Sequence, residues 1–123
     1  MGKKELISDL YEQLVQAEHV LDTQYSFELA EPHYRKCLSI IEQAPAYQNE
    51  FENLLLEMYF EKMISDEPLA YLMHVLRWPN VRKNLELKIA HDPTAIATGR
   101  SHEKVLTAYH DEWANREFYK FSP

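Results

Sequence analysis

The sequence predicts an all-α protein, an irregular bundle of five to six mostly antiparallel helices that form one domain over residues 1–123. Only two glycines occur in 123 residues, and no Asn-Gly or Asp-Gly pair is present to close a β-hairpin. Hydrophobic residues make up 46% of the chain, and good helix formers such as Leu, Glu, Lys, Gln and Ala are abundant. This composition favours a packed helical globule over a disordered chain.

Apolar residues at helical spacing predict three helices in the first half of the chain. Four leucines and Ala17, separated by three or four residues, predict an amphipathic helix from about Lys3 to Asp22. The stretch Tyr25–Glu31 is expected to be a connector or a short turn. Pro32 suits the first turn of a second helix that ends before Pro45. A third helix is predicted from about Ala46 to Met63, and because it is apolar on two faces we expect it to be central in the bundle.

Prolines divide the second half of the chain. Asp66 is expected to cap a fourth helix, whose apolar residues continue to Leu76. The Trp78-Pro79 step predicts a break, because a residue that precedes proline avoids the helical region. A short fifth helix is expected to end at Ala90.

The last third of the chain contains three further signals. Asp92-Pro93 is typical of a helix start, and Gly99 is expected to end that brief helical turn in the left-handed conformation. Ser101 is then predicted to cap a final helix whose apolar stripe reaches Trp113. The aromatic residues of Phe118–Phe121 predict that this segment docks on the bundle.

No motif in the sequence names a reaction, so we expect a protein that is not an enzyme and uses no cofactor. The six histidines occur in neither Glu-x-x-His nor His-Glu-x-x-His patterns, so no metal site is predicted and the histidines are expected to be solvated or to cap helices. No serine lies in a Gly-x-Ser-x-Gly motif. An enzyme with an unrecognised carboxylate or histidine site is the alternative.

The single cysteine, Cys37, can form no intramolecular disulfide. It shares a predicted apolar face with Tyr34 and Ile41, so we expect a buried structural thiol; the alternative is activation by His33, one turn earlier. No window approaches eighteen apolar residues, and no apolar run follows the first lysines, so neither a membrane span nor a secretory signal is predicted. The expected location is the cytoplasm.

Charge is distributed unevenly along the chain, whose net charge is −7. Residues 1–67 contain fourteen acidic and five basic side chains, whereas residues 68–123 contain six and eight. A negative field repels nucleic acid and attracts a basic protein. We therefore expect a protein partner, and neither a nucleic acid nor a membrane.

Acidic residues are predicted to form two stripes, because steps of three, four or seven residues return to one side of a helix. The first stripe consists of Glu5, Asp9 and Glu12, and the polar Gln16 continues it. The second stripe consists of Glu50, Glu57 and Glu61. Like charges at this spacing repel each other, so solubility alone does not require their alignment. The alternative is that each stripe is a solvated face without a partner.

Aromatic residues of the acidic half are candidate anchors for a partner, since tyrosine is frequent among residues that dominate binding energy. The candidates are Tyr11, Tyr25, Phe27, Tyr47 and Tyr59. Tyr11 and Tyr47 join the two acidic stripes in the predicted partner-binding set.

A small, acidic, helical chain without a catalytic motif resembles bacterial toxin-immunity proteins, in particular those of contact-dependent growth inhibition systems. The resemblance is one of size, charge and helical content over the whole chain. It implies a protein that neutralises a cognate basic toxin, typically a nuclease, by covering its active site with an acidic surface. The alternative is a helical-repeat-like scaffold or regulatory adaptor that binds a peptide or helix in an apolar groove. The mildly basic second half leaves a homodimer open.

Overall fold

The computed structural model describes residues 2–121, which form six α-helices and two short 3-10 helices without any β-strand. The α-helices are α1 (Lys3–Gln24), α2 (Phe27–Gln43), α3 (Gln48–Phe60), α4 (Asp66–Leu76), α5 (Pro79–His91) and α6 (Ile96–Thr107). The 3-10 helices are Pro45–Tyr47 and Ala114–Phe118. The prediction of an all-α bundle is confirmed. None of the described helices combines the length and the apolar character that crossing a bilayer requires.

Helices α1 and α2 form an antiparallel hairpin joined by only two residues. The predicted connector Tyr25–Glu31 is wrong, because α2 begins at Phe27. Ser26 precedes it as N-cap, and its hydroxyl accepts a hydrogen bond from the Leu29 backbone N–H at 3.1 Å. Pro32 therefore lies inside α2, where it removes a single hydrogen bond near the helix start.

Helix α3 is shorter than the sequence predicts at both ends. A 3-10 turn occupies Pro45–Tyr47, so the α-helix begins at Gln48. It ends at Phe60 because Lys62 adopts the left-handed conformation (φ 61°) and the Met63 N–H bonds back to the carbonyl oxygen of Met58. The predicted extension to Met63 is therefore wrong.

The central helix is α4 and not the predicted α3. Every residue from 67 to 74 is buried, whereas Leu56 and Phe60 of α3 are only half-buried. The helix begins at Asp66, so the residue predicted as its cap is its first helical residue. Ser65 occupies the cap position, but its hydroxyl does not cap the helix.

The break at Trp78-Pro79 is confirmed. Arg77 is left-handed (φ 51°), Trp78 is extended, and Pro79 begins α5. The prediction for Gly99 and Ser101 is wrong, because both lie within α6. One glycine in a helix interior costs about 1 kcal/mol, which the contacts of the surrounding helix offset.

Replacing Gly99 by alanine is expected to raise the free energy of unfolding by about 0.5–1 kcal/mol, since alanine loses less backbone freedom on folding. An added Cβ meets no atom within 4 Å, and the φ of this glycine is not positive. Urea unfolding at neutral pH measures the change. The matched control is Gly2→Ala, which lies outside a helix interior and should not stabilise the protein. A destabilised Gly99→Ala variant would contradict the expectation.

The sequence predicts that the final helix reaches Trp113, and this is wrong, because α6 ends at Thr107. The chain after α6 nevertheless stays packed on the bundle. Two buried hydrogen bonds hold it there. His74 Nδ1 donates to the carbonyl oxygen of Ala108, and the Tyr109 hydroxyl donates to that of Trp78, both at 2.7 Å.

The residues that follow, 113–121, are called the C-terminal segment. Trp113 and Tyr119 are buried in it, Phe121 is half-buried, and Phe118 is exposed. The Tyr119 ring contacts the Tyr71 ring of α4, with centroids 4.8 Å apart. The predicted docking of Phe118–Phe121 is thus confirmed, and it places an aromatic layer over the centre of the bundle.

Candidate partner-binding surfaces

The six carboxylates of the predicted stripes all reach solvent. Asp9 and Glu50 are half-exposed, and the other four are exposed. Within residues 2–121 their one ion pair joins Glu50 to Lys3 at 3.6 Å, and Gln16 donates a hydrogen bond to Glu12 at 3.4 Å. No base of the second half of the described chain neutralises either stripe. Their role in binding stays a prediction.

The two stripes do not form one continuous face. On α1, Gln13 lies beside the first stripe and contacts His33 of α2, with 3.1 Å between Oε1 and Nδ1. Glu18 follows Asp9 by nine residues, which is about 180° around the helix. Glu18 contacts Ser65, at the junction of α3 and α4. The first stripe therefore borders α2, and α3 with the second stripe approaches α1 from the opposite flank.

The aromatic candidates differ widely in exposure. Tyr11 is 40% exposed, and Tyr47 and Phe27 are half-buried. Tyr25 is 87% exposed, which makes it the most exposed aromatic side chain described. Tyr59 is buried, so its candidacy as an anchor is wrong.

The Tyr59 hydroxyl joins α3 to α6. It lies 2.7 Å from Ser101 Oγ and 2.7 Å from Nδ1 of the buried His102. Burial, followed by the charge of Lys88, lowers the pKa of His102, and burial raises the pKa of Tyr59 to about 12. All three groups are therefore uncharged at neutral pH. Ser101 bonds to a phenol of high pKa and not to a base that could activate it, so the trio connects two helices.

Two histidines contradict the prediction that all of them are solvated or capping. His74 and His102 are buried, each with a hydrogen-bond partner from a distant part of the chain. Within the described residues no group of three His, Cys, Asp or Glu side chains is arranged to hold a metal ion. Sequence spacing could not separate these two histidines from the exposed ones, because their partners lie more than thirty residues away.

Cys37 is fully buried, which confirms its predicted position in the core. Burial raises the pKa of its thiol to about 12, so the thiolate is scarce at neutral pH. His33, the alternative activating base, contacts Gln13 instead. The thiol is therefore unreactive.

The structure contains a cleft of about 580 Å³, which the sequence did not reveal. It lies where the end of α1, the start of α4, the end of α6 and the C-terminal segment meet. We call it the acidic cleft. Its acidic lining residues are Glu18, Asp22, Asp66 and Glu67, and its aromatic ones are Tyr25, Phe27 and Trp113. Lys104 is the one basic residue among the lining residues that the structure describes.

Two of these carboxylates are already engaged in hydrogen bonds. Glu18 Oε1 accepts from the backbone N–H and the hydroxyl of Ser65, both at 2.9 Å. Glu67 accepts from the Tyr119 hydroxyl at 2.6 Å and from the Asn115 amide at 2.9 Å. Burial raises the pKa of Glu67, although both donors oppose that shift. Glu67 thus ties the start of α4 to the C-terminal segment.

A further buried carboxylate, Glu31 of α2, lies outside the cleft and holds the same segment. It is only 2% exposed and accepts a hydrogen bond from the Tyr71 hydroxyl at 2.7 Å. The backbone N–H groups of Lys120 and Phe121 also donate to it, at 3.0 and 2.7 Å. Burial opposes ionisation of Glu31, but these donors and the Arg35 guanidinium, at 3.7 Å, bring its pKa below the ordinary value. The charged form therefore persists in the folded protein.

No protein-family model, curated protein or solved structure matches the chain. The sequence signal that could have revealed the cleft is on α1, whose last turn contains an acid and no base, contrary to the preference set by the helix dipole. The other residues that line the cleft, on α4 and in the C-terminal segment, could be placed only by the fold.

Proposed function

We propose that the protein is a binding inhibitor of the immunity type, which neutralises a basic toxin by covering its active site with an acidic surface. The observation that carries the proposal is the exposure of the carboxylates in both stripes, with one ion pair, Lys3–Glu50, among them. Aligned carboxylates without interleaved lysines repel each other, and of the six only Glu5 and Glu50, in the first turns of α1 and α3, interact favourably with a helix dipole. Their arrangement therefore costs stability and gains its benefit when a cationic surface approaches.

The chemistry of the expected target agrees with an acidic inhibitor. A nuclease must present lysine or arginine side chains to the phosphates of its substrate. A surface with rows of carboxylates competes for the same groups, and its field accelerates association with a basic protein. The half-exposed Tyr47, immediately before α3, and Tyr11 of α1 supply aromatic area beside the charges. Aromatic side chains commonly dominate the binding energy of such interfaces.

Reversing the second stripe with Glu50→Lys, Glu57→Lys and Glu61→Lys together is expected to weaken toxin binding about tenfold or more. Three attractions are lost and three repulsions gained, each worth about 0.2–1 kcal/mol at an exposed site. The melting temperature should change little, since Lys3–Glu50 is the one ion pair lost among the residues that the structure describes. Titration calorimetry with the cognate toxin domain, which we expect to be encoded directly upstream, measures the affinity.

The matched control reverses three exposed acids outside both stripes. These are Glu103, Glu112 and Glu117. The control changes the net charge by the same amount. If both variants lost the same affinity for the toxin, net charge alone would explain the effect and the stripe assignment would be overturned. Undiminished binding by the stripe variant would do the same. An association rate that does not fall with added salt would favour the adaptor alternative, in which an apolar groove binds the partner.

A further inference from the structure

The acidic cleft combines aromatic walls with a carboxylate rim, and we propose that it binds the side chain of an arginine presented by a partner protein. This site is separate from both stripes and does not depend on the identity of the partner as a toxin. A cavity of about 580 Å³ is within the range of pockets that hold small ligands, and a guanidinium with its alkyl chain fits it readily. The charge of the lining and an exposed tyrosine ring favour an arginine over other occupants.

The charge of the cleft lining is strongly negative. Four carboxyl groups face one ammonium group, that of Lys104. Glu18 and Glu67 already accept hydrogen bonds, but Asp22 and Asp66 make no side-chain hydrogen bond or ion pair with any described residue. These two free carboxylates, from the end of α1 and the start of α4, form the rim that a cation would meet. Electrostatic complementarity with this lining therefore favours a positively charged occupant.

The position of Asp22 indicates that this acidic residue does not serve to stabilise the helix. It lies in the last turn of α1, which contains no basic residue. The partial negative charge at a helix C-terminus disfavours an acid there and adds to the negative potential of the cleft. A bound cation would be stabilised by the carboxylate and the helix end together.

Tyr25 supplies the second, independent argument for an arginine. It is 87% exposed, so its ring contributes little to the core. Its backbone is left-handed (φ 52°, ψ 38°), a conformation that glycine adopts freely and tyrosine only at a cost. The Tyr25 side chain is not packed in the core, and tyrosine is a costly residue for a left-handed backbone. The aromatic face of its ring is available at the edge of the cleft. Planar guanidinium groups stack on such faces more readily than ammonium groups do.

The cleft also has room for the chain that would carry the arginine. A neighbouring pocket of about 380 Å³, lined by Tyr59, Ala97 and Thr98 among others, shares Ser65 and Asp66 with it. The two pockets thus meet at the junction of α3 and α4. Residues that flank the arginine could continue along this neighbouring pocket.

The test is a titration of the ¹⁵N-labelled full chain with the blocked peptide acetyl-Gly-Arg-Gly-amide, followed by amide chemical shifts. We expect saturable shifts confined to the cleft, at residues 18–27, 64–70 and 104–115. The matched peptide with citrulline has the same shape without the charge and should give no saturable shifts. A peptide with lysine in place of arginine should bind more weakly, because its ammonium cannot stack or bind in bidentate fashion.

Two protein variants locate the site. Asp22→Asn with Asp66→Asn should weaken binding of the arginine peptide at least about tenfold, since both charge-assisted hydrogen bonds are lost. Glu42→Gln with Glu86→Gln removes the same charge from exposed residues outside the cleft and outside both stripes, and should leave the affinity within about twofold. Tyr25→Gly should weaken peptide binding without lowering the melting temperature, because glycine suits the left-handed backbone. That combination separates a binding role from a structural one.

Several outcomes would overturn the proposal. Equal binding of the citrulline peptide would mean that the groove recognises shape and not charge, and equal binding of the lysine peptide would remove the assignment to arginine. Shifts confined to the stripes, or an affinity unaffected by the Asp22 and Asp66 variants, would place the cation elsewhere. The absence of any saturable shift would leave no site at all. The stripe variants are tested with the toxin domain and the cleft with the arginine peptide, so the proposed inhibitory function and the cleft can fail separately.

Discussion

Glu31→Ala is expected to lower the free energy of unfolding by about 3–5 kcal/mol, the range found when one partner of a buried charged network is removed. Glu31 is the common acceptor for the Tyr71 hydroxyl and for the backbone N–H groups of Lys120 and Phe121. Alanine would leave all three donors without their acceptor and release the end of the C-terminal segment. A protein of this size is stable by about 5–15 kcal/mol, so the variant should be close to unfolding at 37 °C.

Urea unfolding at neutral pH measures the effect, and Glu42→Ala is the matched control. Glu42 lies on the same helix but is exposed, and it makes no hydrogen bond or ion pair among the described residues. Its replacement should change the free energy of unfolding by less than about 0.5 kcal/mol. Similar losses in the two variants would show that Glu31 does not hold the segment.

The same carboxylate gives the protein a component of acid sensitivity. The pKa of Glu31 is lowered in the folded state from the ordinary value of 4.5. Its stabilising contribution is therefore complete above that ordinary value and is lost as the pH falls through the lowered pKa. In Glu31→Gln this part of the pH dependence should disappear, which a series of urea titrations between neutral and acidic pH would detect.

Tyr119→Ala is the second substitution with a large expected effect, again about 3–5 kcal/mol of unfolding free energy. Its ring is buried between the rings of Tyr71 and Trp113, with centroid distances of 4.8 and 5.8 Å, so alanine would leave a cavity within the aromatic layer. Its hydroxyl also donates to Glu67 at 2.6 Å. The expected loss of unfolding free energy therefore has two parts, the lost packing of the ring and the lost hydrogen bond to Glu67.

Tyr119→Phe separates the two parts of that loss. Phenylalanine keeps the ring and removes only the donor to Glu67, so about 1–2 kcal/mol should be lost, the usual range for a single buried hydrogen bond. Thermal and urea unfolding of both variants provide the comparison. If the phenylalanine variant were as unstable as the alanine variant, ring packing would not be the main contribution of this residue.

The helices were predictable where the signal is local and strong. In α1, Leu6, Leu10 and Leu14 are buried as their spacing requires, and the break at Trp78-Pro79 follows from the restriction that proline imposes. Weaker local signals conflicted. At the start of α2 the hydroxyl cap of Ser26 prevails over the preference of Pro32 for a first turn. The sequence contains both signals, and only the packing of the hairpin decides between them.

The candidate sites were predictable to a smaller extent. Exposure of the two stripes follows from helical periodicity, because Glu57 and Glu61 lie opposite the buried face of α3. The acidic cleft and the Glu31 network instead join residues that are far apart in sequence. The hydrogen bond from Lys120 to Glu31 spans 89 residues, and that from Tyr119 to Glu67 spans 52. No spacing rule relates such positions, so their association was invisible before the fold was known.

The hydrogen bonds from the C-terminal segment to Glu31 have a consequence for synthesis on the ribosome. Helices α1 to α4 emerge long before residues 119–121, so the nascent chain must hold the Glu31 carboxylate without its two backbone donors. The rings of Tyr34 and Tyr71 lack their Tyr119 partner during the same interval. The final fold can therefore form only after translation of this segment, and until then the growing chain presents an aromatic surface that molecular chaperones can recognise.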